Sequence, residues 1–230
     1  MSVLNCFLTP DAAHVFTDGA LFTPDMTVAG FASKVIPLPH FPAVLSAVGS
    51  LWITPLMAAA LAESTLIDFD DLLDAFPRIV ETSLGKLPNG NTFGHFTAGL
   101  AGWSAKHGRP AFGCVRTFDE ELPAFELQRA TRYISPSQSH IYDGSILSLP
   151  FDPARPAESG LSIMQAQRKG RFRAINGEDQ HKLYHAVGGF CQHTTVTGEG
   201  ISINVLERWP DQVGRPVTPA SKRSADGGFF

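Results

Sequence analysis

Four apolar runs of strand length fill the first fifty residues of this chain before any helical period begins. Ser2-Val3-Leu4-Asn5-Cys6-Phe7-Leu8 stops at the turn signal Thr9-Pro10-Asp11. Ala13-His14-Val15-Phe16-Thr17 follows as its hairpin partner and ends at Asp18-Gly19. Phe31 to Leu38 and Ala43 to Val48 are two further strands, separated by Pro39-His40-Phe41-Pro42 and closed by Gly49. So many short strands in so little chain predict a sheet buried on at least one face.

The period then changes. From Thr54 to Leu66 the apolar residues Leu56, Met57, Ala60, Leu61 and Leu66 recur at helical spacing, with alanines between them. A second helix is capped by Asp68 or Asp70 and carries the stripe Leu72, Leu73, Phe76, Ile79, Val80 and Leu84. Pro77 is expected to kink it or split it, and Gly85 with Pro88-Asn89-Gly90 to end it. Strands return over Thr92 to Ser104, Ala111 to Thr117 and Phe125 to Arg129. Residues 132–154 read as loop-rich. A helix fits Ala157 to Gly170, a short one Glu178 to Ala186, and a closing hairpin Val187 to Val196 with Gly200 to Leu206. Residues 216–230 read as a tail after one domain spanning 1–215.

Helices in two batches between batches of antiparallel strands predict an α+β fold: a four-layer αββα sandwich of two antiparallel sheets between helical layers. A doubly wound sheet would need helices alternating singly with strands. The chain of 230 residues suits one continuous core, and 43% hydrophobic against 17% charged residues excludes general disorder.

Charge narrows the partners. Eighteen basic against 22 acidic residues give a net charge of −4, which argues against nucleic acid as a partner. The one dense basic cluster, Arg168-Lys169-Gly170-Arg171-Phe172-Arg173, reads as a solvated helix end and loop. The longest apolar stretch, Trp52 to Ala62, is interrupted by Thr54 and Pro55 and falls short of the roughly 20 residues of a spanning helix, so no membrane partner is expected. Met1-Ser2-Val3-Leu4-Asn5 lacks the positive start of a secretory signal. Cys6, Cys114 and Cys191 are odd in number and scattered, which predicts free thiols in a cytoplasmic setting rather than disulfides or a zinc site.

The most specific pattern lies at the start of the chain. Ser2 is followed by Asp18 (18 − 2 = 16) and by Lys34 (34 − 2 = 32), and Gly49 then closes an apolar strand. Each has a plainer reading alone: a second residue of a strand, a turn pair with Gly19, an exposed strand lysine. Together with Val15-Phe16-Thr17-Asp18-Gly19 and Ser33-Lys34-Val35-Ile36-Pro37-Leu38, the spacing resembles that of the N-terminal-nucleophile hydrolase superfamily, in its proteasome β-subunit and bacterial proteasome-like peptidase types. The resemblance is clearest over residues 2–75 and only architectural beyond.

That resemblance implies a nucleophile exposed as the first residue of the mature chain, here Ser2 after removal of Met1. A serine hydroxyl is a poor nucleophile until a base takes its proton. The free α-amine of the same residue, with an ordinary pKa of about 7.7–8.0, supplies that base near neutral pH. A lysine alongside, Lys34, lowers the amine's pKa and stabilises the attacking oxygen; Asp18 holds the lysine charged and oriented. The Gly49 N–H faces the developing oxyanion. The resemblance further implies a peptide or amide substrate, no cofactor, and a homo-oligomer in a ring or related assembly.

The chain departs from the family in places. Ala20 stands where eukaryotic-type subunits carry an arginine, a residue the bacterial type also lacks. Gly188-Gly189 matches the family's late Gly-Gly pair, but Val187 and Tyr184 occupy its supporting serine and aspartate positions; Ser145 after Gly144 is a loose match to another supporting serine. These departures raise the alternative of a catalytically silent chain on the same fold, serving as a structural or assembly subunit.

Other chemistry is thin. The eight histidines form no HExxH or Cys-linked set; His181 and His185 share a helical spacing without a third ligand, so no metal is expected. No GxSxG elbow, GxGxxG or phosphate-binding loop is present. Cys6 reads as a core thiol, and Trp52, Trp103 and Trp209 as core or interface residues.

Overall fold

In the computed structural model the described residues are 3–49, 53–63, 65–85, 95–118, 123–136, 149–173 and 183–219. The opening hairpin forms: β1 (Leu4–Leu8) and β2 (Ala13–Asp18) pair antiparallel from Leu4 opposite Thr17 to Leu8 opposite Ala13. Every residue of β2 is buried. A strand covered on both faces must be the interior of a layered core, and its neighbours within the sheet close its edges. β10 (Arg132–Ser135) flanks β1, while β13 (Phe190–Val196) flanks β2 and carries β14 (Ile201–Arg208) on its far side. This first sheet has the order β10-β1-β2-β13-β14.

The second sheet has the order β5-β6-β7-β8-β9, from β5 (Val35–Leu38), β6 (Ala43–Val48), β7 (Thr97–Ser104), β8 (Arg109–Arg116) and β9 (Gln128–Arg129). Its pairings are all antiparallel. Two short ribbons complete the strands: β3 (Ala20–Phe22) with β4 (Val28–Phe31), and β11 (Phe172–Arg173) with β12 (Leu183–Tyr184).

Three apolar clusters hold these elements. Helices α1 (Ile53–Ala62) and α2 (Phe69–Gly85) bury Met57, Leu61, Leu72, Phe76 and Val80 with Leu45, Ala98 and Leu100 of the second sheet. Helix α3 (Pro156–Lys169) buries Ile163 and Met164 with Phe7, Phe16 and Cys191 of the first. Leu4, Cys6, Ala13 and Val15 of the first sheet meet Val35, Val44, Ala101, Phe112 and Cys114 of the second in a cluster between them. The molecule is thus a mixed α+β structure with antiparallel sheets and, among the described residues, three helices.

Several local expectations need correction. Asp68 caps α2, its carboxylate accepting from the Asp71 N–H at 2.8 Å. Yet α2 runs through Pro77 without a break, because buried apolar residues on both sides of the proline press both halves onto the second sheet. The loop-rich stretch 132–154 also contributes β10, which pairs with β1 from Leu4 opposite Ser135 to Phe7 opposite Arg132. The run Phe125 to Arg129 yields only the two-residue β9. The expected helix from Glu178 to Ala186 lies partly outside the described residues, and its described part contains β12.

The expected strand from Phe31 to Leu38 is two strands with a gap. β4 ends at Phe31 and β5 starts at Val35; in the gap the Ala32 N–H donates to the Gly19 carbonyl at 2.9 Å. Leaving the sheet there turns Lys34 inward. The chain after β14 runs back to β4, with the Val28 N–H donating to the Arg215 carbonyl at 2.9 Å, and Val217 is buried. Among the described residues no helix is long and apolar enough to cross a membrane.

Candidate functional site

Asp18 is the last residue of β2 and is fully buried. A carboxylate in that position needs a counter-charge and donors on both oxygens. Oδ1 receives Lys34 Nζ at 2.6 Å and the Val3 N–H at 3.0 Å. Oδ2 accepts from the Gly188 N–H at 3.2 Å and the Ala20 N–H at 3.3 Å. Lys34, itself buried, has its ammonium pushed below the ordinary lysine range by burial; the charge and hydrogen bond of Asp18 oppose that shift.

Each partner reaches Asp18 by backbone placement. The pairing of Leu4 with Thr17 sets Val3 beside Asp18, so the carboxylate holds the residue that directly follows Ser2. The gap before β5 delivers Lys34. Gly188 precedes β13, and its carbonyl accepts from the Gly19 and Ala20 N–H groups at 3.0 and 2.9 Å, locking the turn after Asp18.

The residues singled out from the sequence thus fall into three groups. Asp18 and Lys34 are in direct contact. Gly49 lies just beyond β6, and since Val35 pairs with Ser46, the strand pairing carries Lys34 and Gly49 to the same end of the second sheet. Its backbone has a φ of +127°, and a Cβ there would stand 2.5 Å from the Phe96 Cβ, so the position demands glycine. Ser2, Gly144 and Ser145 lie outside the described residues.

A second buried ion pair adjoins the site and was hidden in the sequence. Arg168 donates from Nη2 to Asp211 Oδ1 at 2.7 Å and from Nη1 to Asp211 Oδ2 at 2.8 Å, with side chains 7% and 3% exposed. Arg168 Nη1 also donates to the Val187 carbonyl at 2.8 Å, and its guanidinium lies 4.7 Å from the Trp209 ring centroid. Asp211 Oδ2 in turn accepts from the Gly189 N–H at 2.8 Å. The reading of Arg168 as part of a solvated basic cluster is therefore wrong: it stands one and two helical turns from the buried Met164 and Gly160, on the face of α3 turned to the core. That spacing was the available signal.

The remaining candidates are inert or placed elsewhere. Cys6, Cys114 and Cys191 are buried free thiols, and burial pushes all three upward, Cys114 to about 11 and Cys191 to about 12. His185 Nδ1 lies 3.0 Å from the Gly170 carbonyl, while His181 is outside the described residues. Among the described residues no group of three or more His, Cys, Asp or Glu is placed to hold a metal ion.

Taken together, the antiparallel α+β architecture supports a proteasome-like fold. No family model matches the chain, and no curated protein matches it by sequence. Among solved structures it is similar to Anbu (ancestral beta-subunit) from Yersinia bercovieri, with a TM-score of 0.61 over 90% of this chain and 88% of that one. Identity is 9%, so the likeness concerns the fold alone.

Proposed function

We propose that this chain is an N-terminal-nucleophile amidohydrolase, a proteasome-like peptidase built as a four-layer αββα sandwich. The helix–sheet, sheet–sheet and sheet–helix clusters support the layering. One observation carries the chemistry: the buried Lys34–Asp18 pair, with Asp18 hydrogen-bonded to the residue after Ser2. A buried cation just before one strand and a carboxylate at the last residue of another have little structural purpose that apolar residues would not serve better.

With Met1 removed, the Ser2 hydroxyl attacks the carbonyl of a peptide or amide bond while the α-amine of Ser2 takes its proton. The Lys34 charge favours the oxyanion form of the nucleophile and keeps the α-amine unprotonated; Asp18 fixes Lys34 in place. The Gly49 N–H donates to the carbonyl oxygen as it gains charge. The α-amine then returns the proton to the departing amine, leaving an ester on Ser2. Water, deprotonated by the same amine, attacks the ester and frees the acid and the serine. No cofactor enters, and the enzyme works in the cytoplasm as a homo-oligomer, with neither nucleic acid nor membrane as partner.

Intact mass and a serine-directed β-lactone probe test this reading. The mature protein should lack one methionine, take up one equivalent of probe, and lose both labelling and amide hydrolysis in Ser2→Ala. Full hydrolysis by the Ser2→Ala protein would overturn it.

A second reading rests on Val187, fully buried in the position of a supporting serine and offering only its carbonyl, to Arg168. On that reading Met1 stays, the amine of Ser2 remains in a peptide bond, and the chain is a silent assembly subunit. Retained methionine with an intact oligomer is its signature.

A further inference from the structure

We infer that Arg168 and Asp211 are positioning residues of this site, a buried clamp that grips Gly188 from both sides and through it holds the Asp18 carboxylate. The inference rests on the hydrolase reading above for the purpose of the clamp, though not for its geometry. Arg168 holds the carbonyl before Gly188 at 2.8 Å, and Asp211 holds the N–H after it at 2.8 Å. Between these anchors Gly188 turns its own N–H to Asp18 Oδ2 and its carbonyl to the Gly19 and Ala20 amides. The carboxylate's second oxygen is thereby fixed, which leaves Oδ1 facing Lys34 Nζ and the Val3 N–H.

Glycine lacks a side chain to anchor itself, and a Gly-Gly segment has the most conformational freedom of any pair. Held only by its neighbours it would swing, and the Asp18 donor with it. A bidentate arginine–carboxylate fork is the stiffest polar contact available to a side chain, and Trp209 covers its face. The supporting serine and aspartate that the resemblance implies are absent at Val187 and Tyr184. Here the support comes from the end of α3 and from the segment after β14 instead.

The test compares Asp211→Asn and the double variant Arg168→Met with Asp211→Leu, because the single change leaves a buried guanidinium that endangers folding while the apolar pair does not. Two readings are taken: the titration of the Lys34 side chain by NMR, and the rate of β-lactone labelling. Loss of the clamp should let water reach the Asp18–Lys34 pair, moving the Lys34 midpoint up by roughly half a pH unit or more. It should also slow labelling by about tenfold or more through misplacement of the site. A folded double variant with the wild-type Lys34 titration would overturn the clamp, since a merely structural pair alters stability without altering that midpoint. Should neither variant fold, amide exchange in the wild-type protein decides: Gly188 and Gly189 amides should exchange as slowly as those of β13, and free exchange would overturn the inference. Failure of the hydrolase reading is separate, showing as a wild-type protein inert to the probe whatever Lys34 does.

Discussion

Lys34 Nζ lies 2.6 Å from Asp18 Oδ1, with the two side chains 6% and 0% exposed. Their partners are unequal. Asp18 keeps three backbone donors without the lysine, whereas among the described residues the Lys34 ammonium is held by Asp18 alone. Asp18→Asn should therefore cost about 3–5 kcal/mol in urea unfolding, and Lys34→Met distinctly less. Equal losses would contradict this account of the pair.

Gly49 is held to glycine by both backbone and space. Gly49→Ala should lower stability by about 1–3 kcal/mol through the strained φ, with a further loss from the contact on Phe96. Gly108 is the comparison: its φ is +60°, but nothing lies within 4 Å of a Cβ there, so Gly108→Ala should cost only about 1 kcal/mol. Thermal unfolding of the two variants ranks them, and the reverse order would show that the steric term at Gly49 has been overstated.

His14 and His193 form a buried pair on neighbouring strands, with Nδ1 of the first 3.1 Å from Nε2 of the second. Burial lowers both, and His14 lowers His193 further, to about 4; Asp11 partly opposes the shift at His14. In the unfolded chain both titrate near 6.5. Between these values the unfolded chain binds protons that the folded chain refuses, so stability is complete above about pH 6.5 and falls as pH drops toward 4. His193 alone accounts for roughly 3 kcal/mol of that loss. Chemical denaturation between pH 7 and pH 4 measures it, and His193→Gln should flatten the slope.

The Thr17 hydroxyl is buried with no hydrogen-bond partner among the described residues. Thr17→Val keeps the shape and removes the unsatisfied group, and should stabilise the fold by about 1 kcal/mol. A loss of stability on calorimetry would mean that the hydroxyl has a partner after all, a bound water being the simplest.

What could be read from the chain alone was whatever depends on neighbours in sequence. The hairpin of β1 and β2, the extent of β6, the Asp68 cap and the apolar stripe of α2 all follow from period, turn chemistry and propensity within a dozen residues. The Asp18–Lys34 pair was legible too, through spacing that matches a known pattern. Arg168 was half-legible, for its helical phase placed it on the buried face while its basic neighbours disguised it.

The rest needed the chain folded in three dimensions. β10 is four residues with no strong period, and it exists as a strand because β1 offers it an open edge. Pro77 stays within a helix because packing outweighs one missing hydrogen bond. Nothing near Asp18 in sequence announces that Gly188 will donate to it from 170 positions away, or that Asp211 will meet Arg168 across 43. Short-range preferences set the elements, but the donors around a buried charge are chosen by which backbones the core brings together.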